Sequence, residues 1–449
     1  MSQDPTVPQG AAIEFPEGFL WGAATSAHQV EGGNVHNDWW RWESQNPGID
    51  PRLQSGEACR HWERFDADFS LAAADHHNAH RLSIEWSRIE PEPGHINAAA
   101  VAHYHAVFAS LRRHALIPVV TLMHFTLPAW IADRGGWDSR ETIGHFCAFV
   151  RLCAREYGGE VDWWCTINEP EVLAFRAYSE GLWPPQRRDD SAALRVIANQ
   201  LEAHGLAYRI LHEEDHFDAD DDGEMARVGF AKHIVQLEPR RAWSPLDQMR
   251  CHIENRVFND AVLASPVTGH IDLSIPGARR VRRHVPELER SLDWIGLNYY
   301  TRWLVDAVGG VPHVARPGAE VTDLGWEVYA DGLALAARRA QLTGAPVLVT
   351  EHGFADAADR LRPHAMVESL AALGRQMERG LPVLGYLHWS LMDNFEWADG
   401  WNGRFGLYRV DAKRDPSGRE RTRSAAILSK IASENALTPA LVAEAGATL

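Results

Sequence analysis

The sequence predicts a single-domain (β/α)₈ barrel, and three observations support this fold class. Eight short apolar, β-branched or aromatic runs alternate with longer segments of helical periodicity along the 449 residues. Strict alternation of strands and helices indicates a parallel sheet. Eight such units favour a closed TIM-type barrel over an open doubly wound sheet. No low-complexity linker divides the chain, so we expect one domain over residues 1–449, with peripheral tails at 1–12 and 440–449.

Each predicted strand is a short run with the composition of a buried strand. The first begins with "FLWG", the third reads "IPVVTLMHF", the fourth contains paired tryptophans, and the seventh reads "APVLVTEHG". The eight runs in chain order are Phe19–Gly32, Ala79–Ile89, Ile117–Phe125, Asp162–Asn168, Ala226–Ile234, Leu292–Thr301, Ala345–Gly353 and Leu381–Met392. Helical periodicity fills the gaps, for example at Thr142–Tyr157, Ala192–Leu211 and Pro363–Arg379.

Composition excludes several classes of protein. The formal net charge of −17 argues against a nucleic-acid or anionic-membrane partner. No run approaches the roughly 20 apolar residues of a membrane span, and the polar N-terminus lacks the apolar core of a signal peptide. The five cysteines have no disulfide-framework spacing and form no CxxC motif, which indicates buried free thiols. These features predict a cytoplasmic protein, either a monomer or a homo-oligomer.

Two segments raise the question of metal binding. The acidic segment Asp215–Glu224 most simply forms a solvated loop; calcium is an alternative, although its spacing differs from that of an EF-hand. His103 and His105 form an HxH pair in a helical segment, where residues i and i+2 point apart. We therefore expect no metal and no cofactor.

Polar residues recur where the predicted strands end. Catalytic groups of such barrels lie at the carboxyl ends of the strands, so these residues are expected to converge on one rim. Seven of the eight runs contribute: Gln29, Arg81 with Glu85, His124, Asn168 with Glu169, Asn298 with Tyr300, Glu351, and Trp389. The chain also has 18 tryptophans, which can fill the core or, near strand ends, stack against sugar rings.

Glu169 and Glu351 follow the fourth and seventh strands. Either glutamate alone could form a buried ion pair. Two carboxyl groups at the same rim, however, are what the cleavage of a glycosidic bond requires. One must be protonated and the other ionised. Burial beside tryptophan and the charge of Glu351 would raise the pKa of Glu169, while Arg81 and Tyr300 would keep Glu351 ionised. A separation of roughly 5 Å would indicate a retaining mechanism.

These motifs resemble those of glycoside hydrolase family 1, the retaining β-glucosidases and β-galactosidases of clan A. The likeness extends from "FPEGFLWGAATSAHQVEG" to "FEWADGWNGRFGLYRVD". "TINEP" is similar to the acid/base motif of the family, and "VTEHG" is similar to its nucleophile motif. The resemblance implies that Glu169 is the acid/base and that Glu351 is the nucleophile. It implies a β-glucosidase with β-galactosidase and β-fucosidase side activity, acting on small β-glycosides or short oligosaccharides, with transglycosylation possible.

The resemblance also implies which residues bind the sugar hydroxyl groups. Gln29 matches the residue that holds the 3- and 4-hydroxyls, and His124 matches one that binds the 3-hydroxyl. Asn168 corresponds to the residue that binds the 2-hydroxyl. Glu396 and Trp397 in "FEW" correspond to residues that reach the 4- and 6-hydroxyls.

Other matching positions concern the nucleophile and the aromatic surfaces. Arg81 is implied to pair with the nucleophile region, and Asn298 and Tyr300 are implied to position Glu351. Three aromatic side chains are implied to lie beneath the ring, on the aglycone side and near O6, respectively: Trp389, Trp326 and Phe405.

Three positions differ from the family pattern. Phe125 stands where a tryptophan is usual, His28 where an aromatic residue is usual, and His352 where an asparagine is usual. Glu169 argues against a thioglucosidase, which has glutamine there, and Glu396 would repel the phosphate of a phospho-β-glycoside. The alternatives are an endo-acting or xylan-directed hydrolase of the same clan and a sugar-binding pseudoenzyme. The presence of both glutamates argues against the pseudoenzyme.

Overall fold

Eight parallel strands form a closed barrel in the computed structural model, which confirms the predicted fold class. The structure describes residues 12–45, 50, 53–220, 222–308, 312–411 and 414–448, so most of the expected N-terminal tail lies outside the described residues. The barrel strands, labelled β1 to β8 in chain order, are Leu20–Ala24, Ala79–Ser83, Ile117–Thr121, Trp163–Asn168, Arg227–His233, Ile295–Tyr299, Val347–His352 and Val383–Trp389. β8 pairs with β1 and closes the ring.

The main helices of the eight units lie between the strands and after β8. Labelled α1 to α8 in chain order, they are His61–Ala74, Ala98–Arg113, Glu141–Tyr157, Asp190–Glu214, Ala261–Thr268, Asp331–Ala340, Arg362–Met377 and Arg423–Glu434. The three helices named from sequence periodicity correspond to α3, α4 and α7. Within the described residues, no helix is both long and apolar enough to cross a membrane.

All eight predicted runs are longer than the observed strands, and two of them also include a helix. The runs Phe19–Gly32 and Ala79–Ile89 each contain a strand followed by a short helix, Ala27–Val30 in the first and Trp86–Ile89 in the second. Both helices are largely buried. Apolar composition cannot distinguish a buried strand from a buried helical turn, so each of these two predicted runs combined a strand with the helix that follows it.

Further short elements lie outside the barrel. The remaining helices are Asp38–Gln45, Ala129–Ala132, Gly136–Asp138, Pro170–Ala174, Phe175–Ser179, Pro245–Asn255, Arg256–Asp260, Pro286–Leu288, Gln341–Thr343, Trp397–Asp399 and Pro439–Ala445. The paired outer strands are Ile13–Glu14 with Ala436–Leu437, Gln236–Pro239 with Arg302–Val305, His270–Leu273 with Val281–His284, and Tyr408–Asp411 with Asp415–Arg421. In the last helix, Leu441 and Ala445 are buried, so part of the expected C-terminal tail packs against the body.

The barrel interior is filled at the end where the strands begin. One apolar cluster combines residues from seven strands with Trp294, which directly precedes β6: Leu20, Ala79, Val119, Trp163, Cys165, Ala231, Trp294, Leu348 and Leu387. A separate, larger apolar cluster packs the strands against the helices. Because the first residues of several strands close the barrel floor, space for a ligand remains at the carboxyl ends.

Candidate active site

A cavity of about 1080 Å³ opens at the carboxyl ends of the strands. Ten of the thirteen residues proposed from the sequence line it: Gln29, His124, Glu169, Tyr300, Trp326, Glu351, Trp389, Glu396, Trp397 and Phe405. The other three, Arg81, Asn168 and Asn298, are fully buried and contact the lining residues from beneath. The structure therefore brings together residues that are distant in the sequence.

Glu351 lies near the end of β7 and is held by two donors. The Arg81 guanidinium donates to Oε1, and the Tyr300 hydroxyl donates to Oε2 over 2.6 Å. Burial and the Glu351 charge both raise the pKa of Tyr300, so its hydroxyl keeps the proton that it donates. Burial disfavours the charge of Arg81, but Glu351 outweighs it and raises the pKa of the guanidinium. Both contacts favour a negative charge on Glu351.

Glu169 directly follows β4 and has the opposite electrostatic environment. Its φ of 45° places it in the left-handed region, and Pro170 then begins a short helix. Its side chain is buried and accepts a hydrogen bond from Asn298 Nδ2 over 2.7 Å. Burial, followed by the charge of Glu351, raises the pKa of Glu169 well above its usual value. This environment favours the protonated form of Glu169.

A buried hydrogen-bond network connects the two carboxyl groups. Arg81 Nη2 donates to Asn168 Oδ1 over 2.7 Å, and Asn298 Nδ2 donates to the same oxygen over 3.1 Å. Asn298 Oδ1 in turn accepts from the Thr350 hydroxyl over 2.6 Å. Because each amide is fixed by more than one partner, the network sets the side-chain positions of Glu169 and Glu351 before any ligand arrives.

A polar group for hydroxyl recognition lies beside the carboxyls. Gln29 Nε2 donates to Phe395 O over 2.7 Å and lies 3.4 Å from Glu396 Oε2, while Trp389 Nε1 donates to Glu396 Oε1 over 3.1 Å. Burial raises the pKa of Glu396 well above its usual value. Burial lowers the pKa of His124, so its imidazole is neutral. These groups offer hydrogen-bond donors and acceptors to a ligand in the cavity.

The three departures from the family pattern occupy packed positions. Phe125 packs against Trp397 at 5.3 Å between ring centroids, and His28 stacks on the same indole at 5.7 Å. His352 is fully buried, and burial lowers its pKa to about 3. His352 is therefore a neutral packing residue next to Glu351.

Sequence reasoning missed several cavity residues: Phe175, Trp183, His233 and Phe258. His233 ends β5, the one strand for which no polar end residue had been identified. A search for polar residues at the end of this predicted strand, as at the ends of the others, would have identified His233. Trp183 lies in "GLWPP", and an aromatic residue beside two prolines indicates a loop position that could have been proposed as part of the site.

A buried ion pair lies directly behind Glu169. Lys232 Nζ donates to Glu171 Oε1 over 2.8 Å, and both side chains are fully buried. Glu171 Oε1 also accepts from the His233 backbone N–H over 3.2 Å. The pair thus ties the short helix after Glu169 to the end of β5.

Replacing Lys232 with methionine is expected to lower the free energy of unfolding by about 3–5 kcal/mol, because the Glu171 charge is left buried without its partner. Urea denaturation followed by tryptophan fluorescence measures the change. Lys430→Met is the matched control: its partner Glu444 is half exposed, and the expected loss is under about 1 kcal/mol. A Lys232 variant as stable as the control would contradict the importance of the pair.

The segments considered for metal binding lie outside this cavity. Asp162, Asp218 and Asp220 approach one another, but the Asp162 carboxylate accepts backbone N–H groups from Ala219 and Asp220, which explains its burial. His103 stacks on Trp62 with 3.6 Å between ring centroids, whereas His105 bonds to Glu160 over 2.6 Å. The two histidines therefore have separate structural partners.

Comparison with known proteins agrees with this geometry. The model of glycosyl hydrolase family 1 matches residues 11–437. A β-galactosidase of Pyrococcus woesei is 31% identical, with 94% of this chain and 98% of that protein covered. β-Glucosidase A of Thermotoga maritima is also 31% identical, with 89% and 93% covered. The solved structure of a β-glycosidase from Pyrococcus horikoshii has a TM-score of 0.88 at 33% identity, covering 97% of this chain and 99% of that chain.

Proposed function

Because this chain belongs to glycosyl hydrolase family 1, we propose that it removes terminal non-reducing β-D-glycosyl residues by a retaining double displacement. Glucosides are its expected main substrates, with galactosides and fucosides cleaved as side activities. Similarity to proteins named β-galactosidase and β-glucosidase supports this class of substrate. We propose no cofactor, since two carboxyl groups and hydrogen bonds supply the chemistry.

The proposal depends on one observation: two buried carboxyl groups line the same cavity in environments that favour opposite protonation states. Glu351, which accepts from Arg81 and Tyr300, attacks the anomeric carbon and forms the glycosyl-enzyme. Glu169 gives its proton to the departing oxygen at the same time. In the second step, Glu169 takes a proton from water, which displaces Glu351 from the sugar. An alcohol that replaces this water yields a transglycosylation product.

The proposed sugar contacts follow from the groups around the carboxyls. Gln29 and Glu396 lie side by side; Gln29 is assigned to the 3- and 4-hydroxyls and Glu396 to the 4- and 6-hydroxyls. The neutral His124 is assigned to the 3-hydroxyl. Asn168, whose amide nitrogen lies 3.4 Å from His124 Nε2, is assigned to the 2-hydroxyl. The remaining aromatic contacts are assigned as follows: Trp389 beneath the ring, Trp397 near the 4- and 6-hydroxyls, Phe405 near O6, and Trp326 on the aglycone side.

A panel of nitrophenyl glycosides tests the function. We expect kcat/KM to be highest for a β-D-glucoside, lower for the β-galactoside and β-fucoside, and undetectable for α-glucosides. Proton NMR of the first product should show the β-anomer before mutarotation, because two inversions restore the configuration. Initial release of the α-anomer, or no cleavage of any β-glycoside, would contradict the proposal.

A further inference from the structure

The cavity lining also includes large apolar side chains that are not among the groups assigned to the sugar, and we call the space beside them the outer chamber. This outer chamber is lined by Phe175, Leu246, Met249, Ile253, Phe258 and Trp303. The whole cavity, at about 1080 Å³, exceeds the roughly 300–1,000 Å³ of most small-molecule pockets. The groups assigned to the sugar ring are concentrated at the inner end, so the outer chamber is available to the aglycone.

Aromatic contacts connect the catalytic end to the outer chamber. The Tyr300 ring, whose hydroxyl bonds to Glu351, lies 5.8 Å from the His233 ring, which lies 6.0 Å from Phe258. Phe258 stacks on Phe175 with 5.8 Å between centroids. Glu169, which protonates the departing oxygen in the proposed mechanism, lines the same cavity as these rings, so a group attached to that oxygen can reach the apolar side chains of the chamber.

One helix supplies an apolar face to this chamber instead of to the core. Leu246, Met249 and Ile253 in the helix Pro245–Asn255 follow i, i+3, i+7 spacing, which places them on one face. These side chains are 61%, 57% and 37% exposed, respectively. A group of large, exposed apolar side chains that line a cavity is typical of a binding surface, whereas apolar residues exposed singly are common and need no explanation.

Several polar groups of the chamber already have partners within the protein. Arg176 pairs with Glu180 over 2.7 Å, and Arg250 pairs with Glu254 over 2.8 Å. The Thr301 hydroxyl donates to the Glu327 carbonyl over 2.8 Å. A second sugar would have to compete for these groups to satisfy its hydroxyls, and an unsatisfied buried hydroxyl is costly.

His233 provides a polar atom close to the catalytic end. Its Nε2 is buried and has no hydrogen-bond partner among the described residues. The ring lies 5.8 Å from the Tyr300 ring and lines the cavity, so His233 borders the route between the catalytic end and the outer chamber.

We propose that the preferred substrates of this enzyme carry a long apolar aglycone, an alkyl chain of about eight carbons or more, that occupies the outer chamber. The inference rests on the proposed glycosidase function. The aglycone is the expected occupant of the outer chamber because this chamber is part of the cavity that contains Glu169 and Glu351.

The test is a chain-length series of methyl, butyl, hexyl and octyl β-glycosides, carrying the sugar preferred in the nitrophenyl panel and used below micelle formation. Linear alcohols differ little as leaving groups, so kcat/KM reports burial of the chain. We expect an increase of up to three- to fourfold for each added CH₂ group. The octyl glycoside should also exceed cellobiose in kcat/KM.

The variant Met249→Asp/Ile253→Asp should lower the ratio of octyl to methyl kcat/KM at least tenfold. Leu342→Asp, an equally apolar and 77% exposed position outside the cavity, is the matched control and should keep the wild-type ratio. If nitrophenyl glycosides are cleaved but kcat/KM does not rise with chain length, the aglycone proposal is wrong and the proposed function stands. A higher kcat/KM for cellobiose than for the octyl glycoside would have the same meaning. Failure to cleave any β-glycoside would instead contradict the proposed function.

Discussion

Replacing Glu351 with alanine is expected to abolish hydrolysis of aryl β-glucosides, with a loss in kcat on the order of 10⁴- to 10⁶-fold, as when one member of a catalytic unit is removed. Glu351 is the carboxylate at the cavity surface that accepts hydrogen bonds from Arg81 and Tyr300. Without it, no group on that side can attack the anomeric carbon. Release of nitrophenol under saturating substrate measures the loss.

Azide separates loss of the nucleophile from loss of the fold. The Glu351→Ala cavity admits a small anion on the side of the sugar that the carboxylate occupied, so azide should restore turnover and yield the α-glycosyl azide. Glu351→Gln fills the same space with an uncharged amide and should not be rescued to the same degree. A β-configured azide product from Glu351→Ala would contradict the assignment, and absence of rescue in a folded variant would count against it.

The two candidate catalytic glutamates could be proposed from the sequence because their signals are local. Glu169 and Glu351 each end a strongly apolar run, and closure of eight strands into a ring places strand ends together. The close approach of β7 to β8 explains the glycine after His352: a Cβ on Gly353 would lie 1.9 Å from the Trp389 carbonyl oxygen. The tail boundaries, cytoplasmic location and oligomeric state stay predictions from the sequence.

Other features depend on contacts that no local pattern indicates. Glu171 and Lys232 are 61 residues apart and become partners only when β4 and β5 are neighbours. The apolar face of the helix Pro245–Asn255 has the spacing of a core-facing helix, and only the structure shows that it faces a cavity. The same periodicity is therefore compatible with packing and with binding.

Replacing Glu169 with alanine should give a loss that depends on the leaving group. For phenyl and alkyl β-glycosides, whose oxygen needs a proton to depart, kcat/KM should fall about 10²- to 10⁴-fold, the usual contribution of general acid catalysis. For a dinitrophenyl glycoside, which needs little protonation, kcat/KM should stay within about tenfold of wild type. Its kcat should still fall, because Glu169 also activates the water of the second step. Equal losses in kcat/KM across these substrates would tell against the role.

The pH dependence gives an independent measure of the same group. Burial and the Glu351 charge raise the pKa of Glu169, and the protonated form is the active one, so wild-type kcat/KM should fall as pH rises through that raised pKa. In Glu169→Ala with the dinitrophenyl substrate, this alkaline decline should disappear. Azide should raise kcat by attacking the glycosyl-enzyme from the side where Glu169 stood, and should therefore yield the β-glycosyl azide. Because Glu351→Ala should give the opposite anomer, the two products together assign the two carboxyl groups to opposite faces of the sugar, and identical anomers would refute the mechanism.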